Sequence, residues 1–133
     1  MSEPTEAEDL TIGAAGEDLI AAGRVIRLIA LGRRSGRPRS VAVGFIDEPD
    51  GSMLVAAGDA GTHWALNLIA EPRCRVVLAG QAIDCRAEEL SGPDRARTIR
   101  ELILKYGSPS ESLGAGPAFR LIPDPQSALP FDA

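Results

Sequence analysis

The segment Gly32-Arg33-Arg34-Ser35-Gly36-Arg37-Pro38-Arg39 carries the first chemistry in the chain. Its glycines and proline make a tight turn that leaves backbone N–H groups exposed. Four guanidiniums flank the turn, and each offers paired donors that match phosphate or carboxylate geometry. Ser35 adds a hydroxyl. With Arg24 and Arg27, six arginines fall within 16 residues, and no acid occurs between positions 19 and 46. Such a local positive field draws a small anion rather than a long polyanion. The competing reading is a hairpin tip whose charges keep a sheet edge from pairing with other chains. The G-x-x-x-x-G-K spacing of a nucleotide-phosphate loop is absent.

Downstream, Ala57-Gly58-Asp59-Ala60-Gly61 is a small-residue loop leading into Thr62, a residue suited to cap a helix. Helix starts carry free N–H groups and a partial positive charge, so anions settle there, and Asp59 opposes that. Trp64 and Leu68 are four apart and share a helix face, the spacing of core packing. Asn67 reaches the edge of that face. His63 is the single histidine, and the first helical position exposes it to solvent. With no cysteine or second histidine beside it, no metal site is expected.

The two cysteines are Cys74 and Cys85. If Ala79-Gly80 closes a two-residue hairpin, Cys74 faces Cys85 across the strands, as two small buried thiols kept reduced. Neither a Ser-His-Asp order nor a G-x-G-x-x-G unit is present. Redox chemistry would therefore come from a borrowed cofactor.

These residues need elements to hold them. Apolar runs with β-branched residues predict strands over 25–31, 40–46, 52–57, 73–78, 81–88 and 118–122. A short helix is expected from His63 to Ala70, stopped by Pro72. A longer one follows Ser91: Ala96, Ile99, Leu102, Ile103 and Tyr106 recur at helical spacing, and Gly107 stops it. Short strands joined by hairpins, with an amphipathic helix, predict a mainly β (α+β) antiparallel barrel. An open α+β sandwich is the competing architecture.

The chain has 133 residues, 14 basic and 19 acidic, for a net charge of −5. That length suits one domain. Residues 1–18, with six acids and no base, read as a solvated tail, and residues 124–133, proline-rich, as an extended one. The domain proper is then 19–123. A net-acidic chain is a poor nucleic-acid binder. No apolar run reaches the ~18 residues of a membrane span. The N-terminus has no basic-then-apolar leader, so a cytoplasmic location is expected.

Three pieces in order resemble one family. The hairpin Ala30-Leu31-Gly32-Arg33-Arg34-Ser35-Gly36-Arg37-Pro38-Arg39 is similar to a G-R-[KR]-[ST]-G-x-x-R element. Trp64-Ala65-Leu66-Asn67-Leu68-Ile69-Ala70-Glu71-Pro72 is similar to a W-x-x-N-L-x-A-x-P element. The strand at Val76-Val77-Leu78, its hairpin and the helix to Tyr106 follow at matching spacing. Together they resemble the deazaflavin (F420)-dependent nitroreductase family of the flavin/deazaflavin split β-barrel superfamily.

The resemblance implies a six-stranded, FMN-binding-like split β-barrel with one or two short helices. It also implies an F420H2-dependent reductase that passes a hydride to an electron-poor nitro compound, quinone or enone. The alternatives are an F420 carrier without turnover and an FMN-binding oxidoreductase. Coenzyme F420 bears a phosphate and a polyglutamate tail, and Arg33, Arg34, Ser35, Arg37, Pro38 and Arg39 would line that anionic side. Ala57, Gly58 and Gly61 would approach phosphate or ring through the backbone. Trp64 would pack beside the cofactor and Asn67 hydrogen-bond it. A homodimer is a further expectation, since such barrels often pair. The chain departs from the family at Gly58-Asp59, where members commonly carry a longer loop with a serine and often a lysine.

Overall fold

The computed structural model describes residues 14–107 and 115–130. Seven antiparallel strands form one sheet curled into a half-barrel: β1 Ile26–Leu31, β2 Pro38–Val43, β3 Ile46–Asp47, β4 Met53–Ala56, β5 Arg73–Leu78, β6 Gln81–Leu90 and β7 Ala118–Pro123. Their spatial order is β2-β1-β5-β6-β7-β4-β3. Among the described residues three α-helices accompany them: α1 Ala14–Ala21, α2 His63–Ala70 and α3 Gly92–Tyr106.

The strand count corrects the expected six, and the helix count the expected one or two. The run 40–46 is not one strand. β2 ends at Val43, and the chain crosses to the opposite edge of the sheet before pairing Ile46 with Leu54. Consecutive strands thus sit at the two outer edges, which is what splits the barrel. Gly44 and Phe45 make the crossing. A Cβ on Gly44 would lie 2.8 Å from Cε2 of Tyr106, so only glycine lets that ring approach. The Phe45 N–H donates to Tyr106 Oη at 3.0 Å, Tyr106 Oη donates to the Arg24 carbonyl at 2.8 Å, and Lys105 Nζ donates to the Phe45 carbonyl at 2.7 Å. The last turn of α3 therefore pins the corner.

β1 carries the core on both faces. Ile26, Leu28 and Ala30 point into the half-barrel with Phe45, Val55, Val76, Phe119 and Leu121. Ile29 and Leu31 point outward and are covered by Leu129. Leu129 lies within the segment read as a C-terminal tail. A 3-10 turn at Pro125–Ser127 is held by Asp124, whose carboxylate accepts from the Gln126 N–H at 2.9 Å and from Ser127 Oγ at 3.0 Å. At the other end, α1 begins at Ala14, inside the segment read as a tail; its Ile20 is buried, and Glu17 pairs with Arg27 of β1. Residues 1–13 lie outside the described residues.

α2 fills the open side of the half-barrel, with Ala65 and Leu68 buried in the inner core. Its bounds match the expected helix, as β5 matches the expected strand. Between β5 and β6, Ala79 and Gly80 both take positive φ (49° and 86°), the geometry of a two-residue hairpin turn. The register follows from it: Cys74 lies opposite Cys85.

Candidate functional site

The β1–β2 turn and the first turns of α2 meet at one place. The turn is built by its own residues. The Gly32 N–H donates to the Arg37 carbonyl and the Gly36 N–H to the Gly32 carbonyl, both at 2.8 Å. Gly36 takes φ +69°, a backbone conformation that favours glycine. Ser35 Oγ accepts from the Arg37 N–H at 3.1 Å and from Arg39 Nη2 at 2.9 Å. Ser35 thus braces the turn and aims Arg39, whose Nη1 also donates to the Pro38 carbonyl at 3.2 Å.

The arginines part into two sets. Arg39 is buried on β2, opposite Ala30. Arg33 turns to α2: its N–H and its Nη1 both donate to Asn67 Oδ1, at 3.1 and 2.8 Å, and its Nη2 lies 3.3 Å from His63 Nδ1. Arg34 and Arg37 project outward, exposed, and their guanidiniums meet no acceptor among the described residues. Elsewhere the pattern is mixed: among the described residues Arg24 and Arg100 are likewise exposed and meet no carboxylate, whereas six others do. Arg27, Arg73, Arg75, Arg86, Arg97 and Arg120 each lie within ion-pair distance of a carboxylate. Arg34 and Arg37 thus place two positive charges without a carboxylate, among the described residues, on one turn of a net-acidic chain, which favours an anion there.

Behind the turn a narrow cleft of about 10 Å³ is lined by Ala30, Arg39, Ser40, Val41, Trp64 and Asn67. That is scarcely the room one water takes. Trp64 forms one wall while packing on Phe119, ring centroids 6.0 Å apart and planes tilted by 54°. It is therefore both core and cleft, and its spacing with Leu68 revealed only the core part. Ala30 and Val41 were missed by sequence reasoning. Both read as strand core, and only the register beside Arg39 brings them to the cleft.

The loop before α2 is less open than its glycines suggest. Asp59 Oδ1 accepts the Gly61 N–H at 2.8 Å and Thr62 Oγ1 at 3.4 Å, so the Gly61 amide is already engaged. Thr62 stands at the helix start without a side-chain capping bond. Ala57 is buried, its N–H donating to the Pro117 carbonyl at 2.9 Å. A side chain on Gly58 would meet nothing within 4 Å, so its backbone stays approachable.

No strong nucleophile sits nearby. Burial, reinforced by Asp84, pushes the Cys85 thiol up to about 12, and burial with Cys85 and Asp84 beside it pushes Cys74 up as well. Neither is a thiolate near neutrality. The arrangement can bind, orient and polarise, but the electrons must be brought in.

The model of the F420H2-dependent quinone reductase family matches residues 3–111. The chain belongs to this family. Its members are oxidoreductases whose cofactor is coenzyme F420. Solved structures share the fold: an F420-H2 dependent reductase (FDR-A) at 24% identity, TM-score 0.63, covering 74% of this chain and 93% of that one. The heme storage protein HutZ of Vibrio cholerae is 17% identical, TM-score 0.63, covering 81% and 87%. The conserved protein Rv2991 of Mycobacterium tuberculosis is 17% identical, TM-score 0.63, covering 90% and 86%. The split-barrel fold therefore serves proteins with different ligands, and it is family membership that selects F420.

The residues present fit that coenzyme. Two outward guanidiniums without carboxylates suit a phosphate and a polyglutamate tail. Trp64 and the buried Asn67 amide border a cleft with room for a single polar atom, such as a carbonyl oxygen, rather than for a ring. Among the described residues, no helix is long and apolar enough to cross a membrane.

Proposed function

We propose that the protein is an F420H2-dependent reductase of a quinone or a comparable electron-poor small molecule, such as an enone or a nitro compound. The observation that supports it most is the pair of exposed arginines on the turn beside the Trp64–Asn67 cleft. Arg34 and Arg37 face out of the turn within four residues of each other, and among the described residues their guanidiniums meet no acceptor. In this reading they hold the phosphate and tail of the coenzyme. Ser35 and Pro38 keep Arg39 at the cleft mouth, and Ala57 and Gly58 offer backbone to the nearer end of the coenzyme. Trp64 packs against the ring.

When bound, the coenzyme supplies the hydride. The chain supplies position, a positive field and exclusion of water from one ring face. FMN bears a single phosphate and leaves the arginines in surplus, so it is the weaker candidate. A carrier without turnover differs from a reductase only in what happens to the bound hydride. A homodimer, which would cover more of the coenzyme, belongs to the same reading.

The test is titration of the purified protein with F420 and, separately, FMN, at low and high salt. F420 binding that weakens with salt, and by roughly fivefold in each of Arg34→Ala and Arg37→Ala, supports the reading. FMN binding with indifference to F420 rejects it. Oxidation of reduced F420 by menadione or a nitroaromatic then separates enzyme from carrier.

A further inference from the structure

Asn67 is 4% exposed, and its side chain is held at one end only. Oδ1 receives two hydrogen bonds from Arg33, one from the backbone and one from the guanidinium. A carbonyl oxygen has two lone pairs, so both are in use and the amide cannot flip without losing both. Nδ2 therefore has to point away from Arg33. Among the described residues it meets no acceptor, and Asn67 lines the cleft beside Trp64. A buried N–H2 group without an acceptor opposes folding, so its survival marks a place where something else accepts.

Arg33 is itself held from the far side. A guanidinium can only donate, and its Nη2 lies 3.3 Å from His63 Nδ1. Arg33 thus spans from the first residue of α2 to a residue one turn on. Its backbone belongs to the arginine turn, yet its side chain leaves that turn.

We propose that Arg33 is a positioning residue: it fixes the Asn67 amide so that Nδ2–H2 faces the cleft and donates to a carbonyl oxygen of the ligand there. The carbonyl belongs either to the coenzyme ring or to the quinone acceptor. That choice rests on the function proposed above; the orientation of Asn67 does not. Arg33 in this account does not hold the anionic tail, which distinguishes it from Arg34 and Arg37.

Arg33→Lys keeps the charge and removes the fork. If Arg33 acts through Asn67, Arg33→Lys weakens F420 binding, or raises the KM for menadione, by about tenfold, while the salt dependence of F420 binding stays as in the wild type. Asn67→Ala has a similar effect, and Arg33→Lys/Asn67→Ala adds nothing to it. Loss of F420 affinity without acceptor assigns the carbonyl to the coenzyme. Loss confined to the KM for menadione assigns it to the quinone.

Wild-type behaviour of Arg33→Lys, a salt dependence reduced as in Arg37→Ala, or additive losses in the double variant overturns the proposal. A second measurement needs no cofactor. In the free protein, the Asn67 side-chain amide resonances move in Arg33→Lys and stay in place in Arg37→Lys; resonances that ignore Arg33 reject the inference. If the wild type fails to bind F420, the proposed function falls, and the amide resonances still decide the role of Arg33.

Discussion

The ring of Tyr106 lies flat on the space that a side chain at Gly44 would occupy. The Cβ position of Gly44 is 2.8 Å from Cε2 and 3.0 Å from Cζ of the tyrosine. Tyr106 cannot retreat, because its hydroxyl is held by the backbone of Phe45 and Arg24, residues on either side of β1 and β2. The contact turns the chain from one edge of the sheet to the other. Gly44→Ala should therefore cost about 1–3 kcal/mol, and Tyr106→Phe, which leaves the Phe45 N–H without its acceptor, about 1–3 kcal/mol. Urea denaturation of both variants measures this; a loss below about 0.5 kcal/mol in each would show that the corner is not held there.

Gly116 tests the other side of the loop. A Cβ there would sit 2.1 Å from the Ala57 carbonyl oxygen and 2.9 Å from the Asp59 N. Those are backbone atoms, so they move only if the end of β4 moves. Gly116→Ala should displace Ala57 and Gly58 and lower both stability and F420 affinity. A variant with wild-type melting temperature and wild-type affinity would contradict this placement of the two loops.

Asp59 sets the charge at the start of α2. Its carboxylate holds the Gly61 N–H at 2.8 Å, and it opposes an anion approaching Gly58. Asp59→Asn retains a carbonyl for that bond and removes the charge. F420 affinity at low salt should rise by a few-fold, and the gain should vanish at high salt as the charge is screened. Unchanged affinity at low salt would place the coenzyme's anionic groups away from this loop.

The cysteine pair predicts a pH window. In the unfolded chain both thiols ionise near the usual ~8.5. In the folded chain Cys85 does so only at about 12, since burial disfavours its thiolate. Between those values the folded form holds more protons, so the thiols' contribution to stability is intact below about 8.5 and falls as pH rises toward 12. The fall in urea midpoint between pH 7 and pH 10 should be smaller in Cys74→Ala/Cys85→Ala than in the wild type. A thiol-specific reagent at pH 8 should label neither cysteine in the native protein and both in urea; rapid native labelling would refute the burial.

Much of the site was legible as types and order, less as contacts. The arginine turn, the extent of α2 between Thr62 and Pro72 and the Trp64–Asn67 spacing are all local patterns. What each arginine does was not legible, because Arg33, Arg34, Arg37 and Arg39 are chemically identical and differ only in what the fold brings near them. Asn67 lies 34 residues from Arg33. No local signal distinguishes the arginine it will meet.

The sequence by itself determined the elements whose causes are short-range: α2 between Thr62 and Pro72, α3 to its glycine stop, and the β5–β6 register that sets Cys74 against Cys85. Helical periodicity, caps and two-residue turns act within a few residues, so reading them needs no partner. Only the tertiary structure decided that the 40–46 run breaks at Gly44, that Leu129 folds back over β1, that Asp59 claims the Gly61 amide and that Arg33 leaves its turn for Asn67. Most of these depend on groups far apart in the chain competing for the same space or hydrogen bond, and that competition is settled only when the sheet closes.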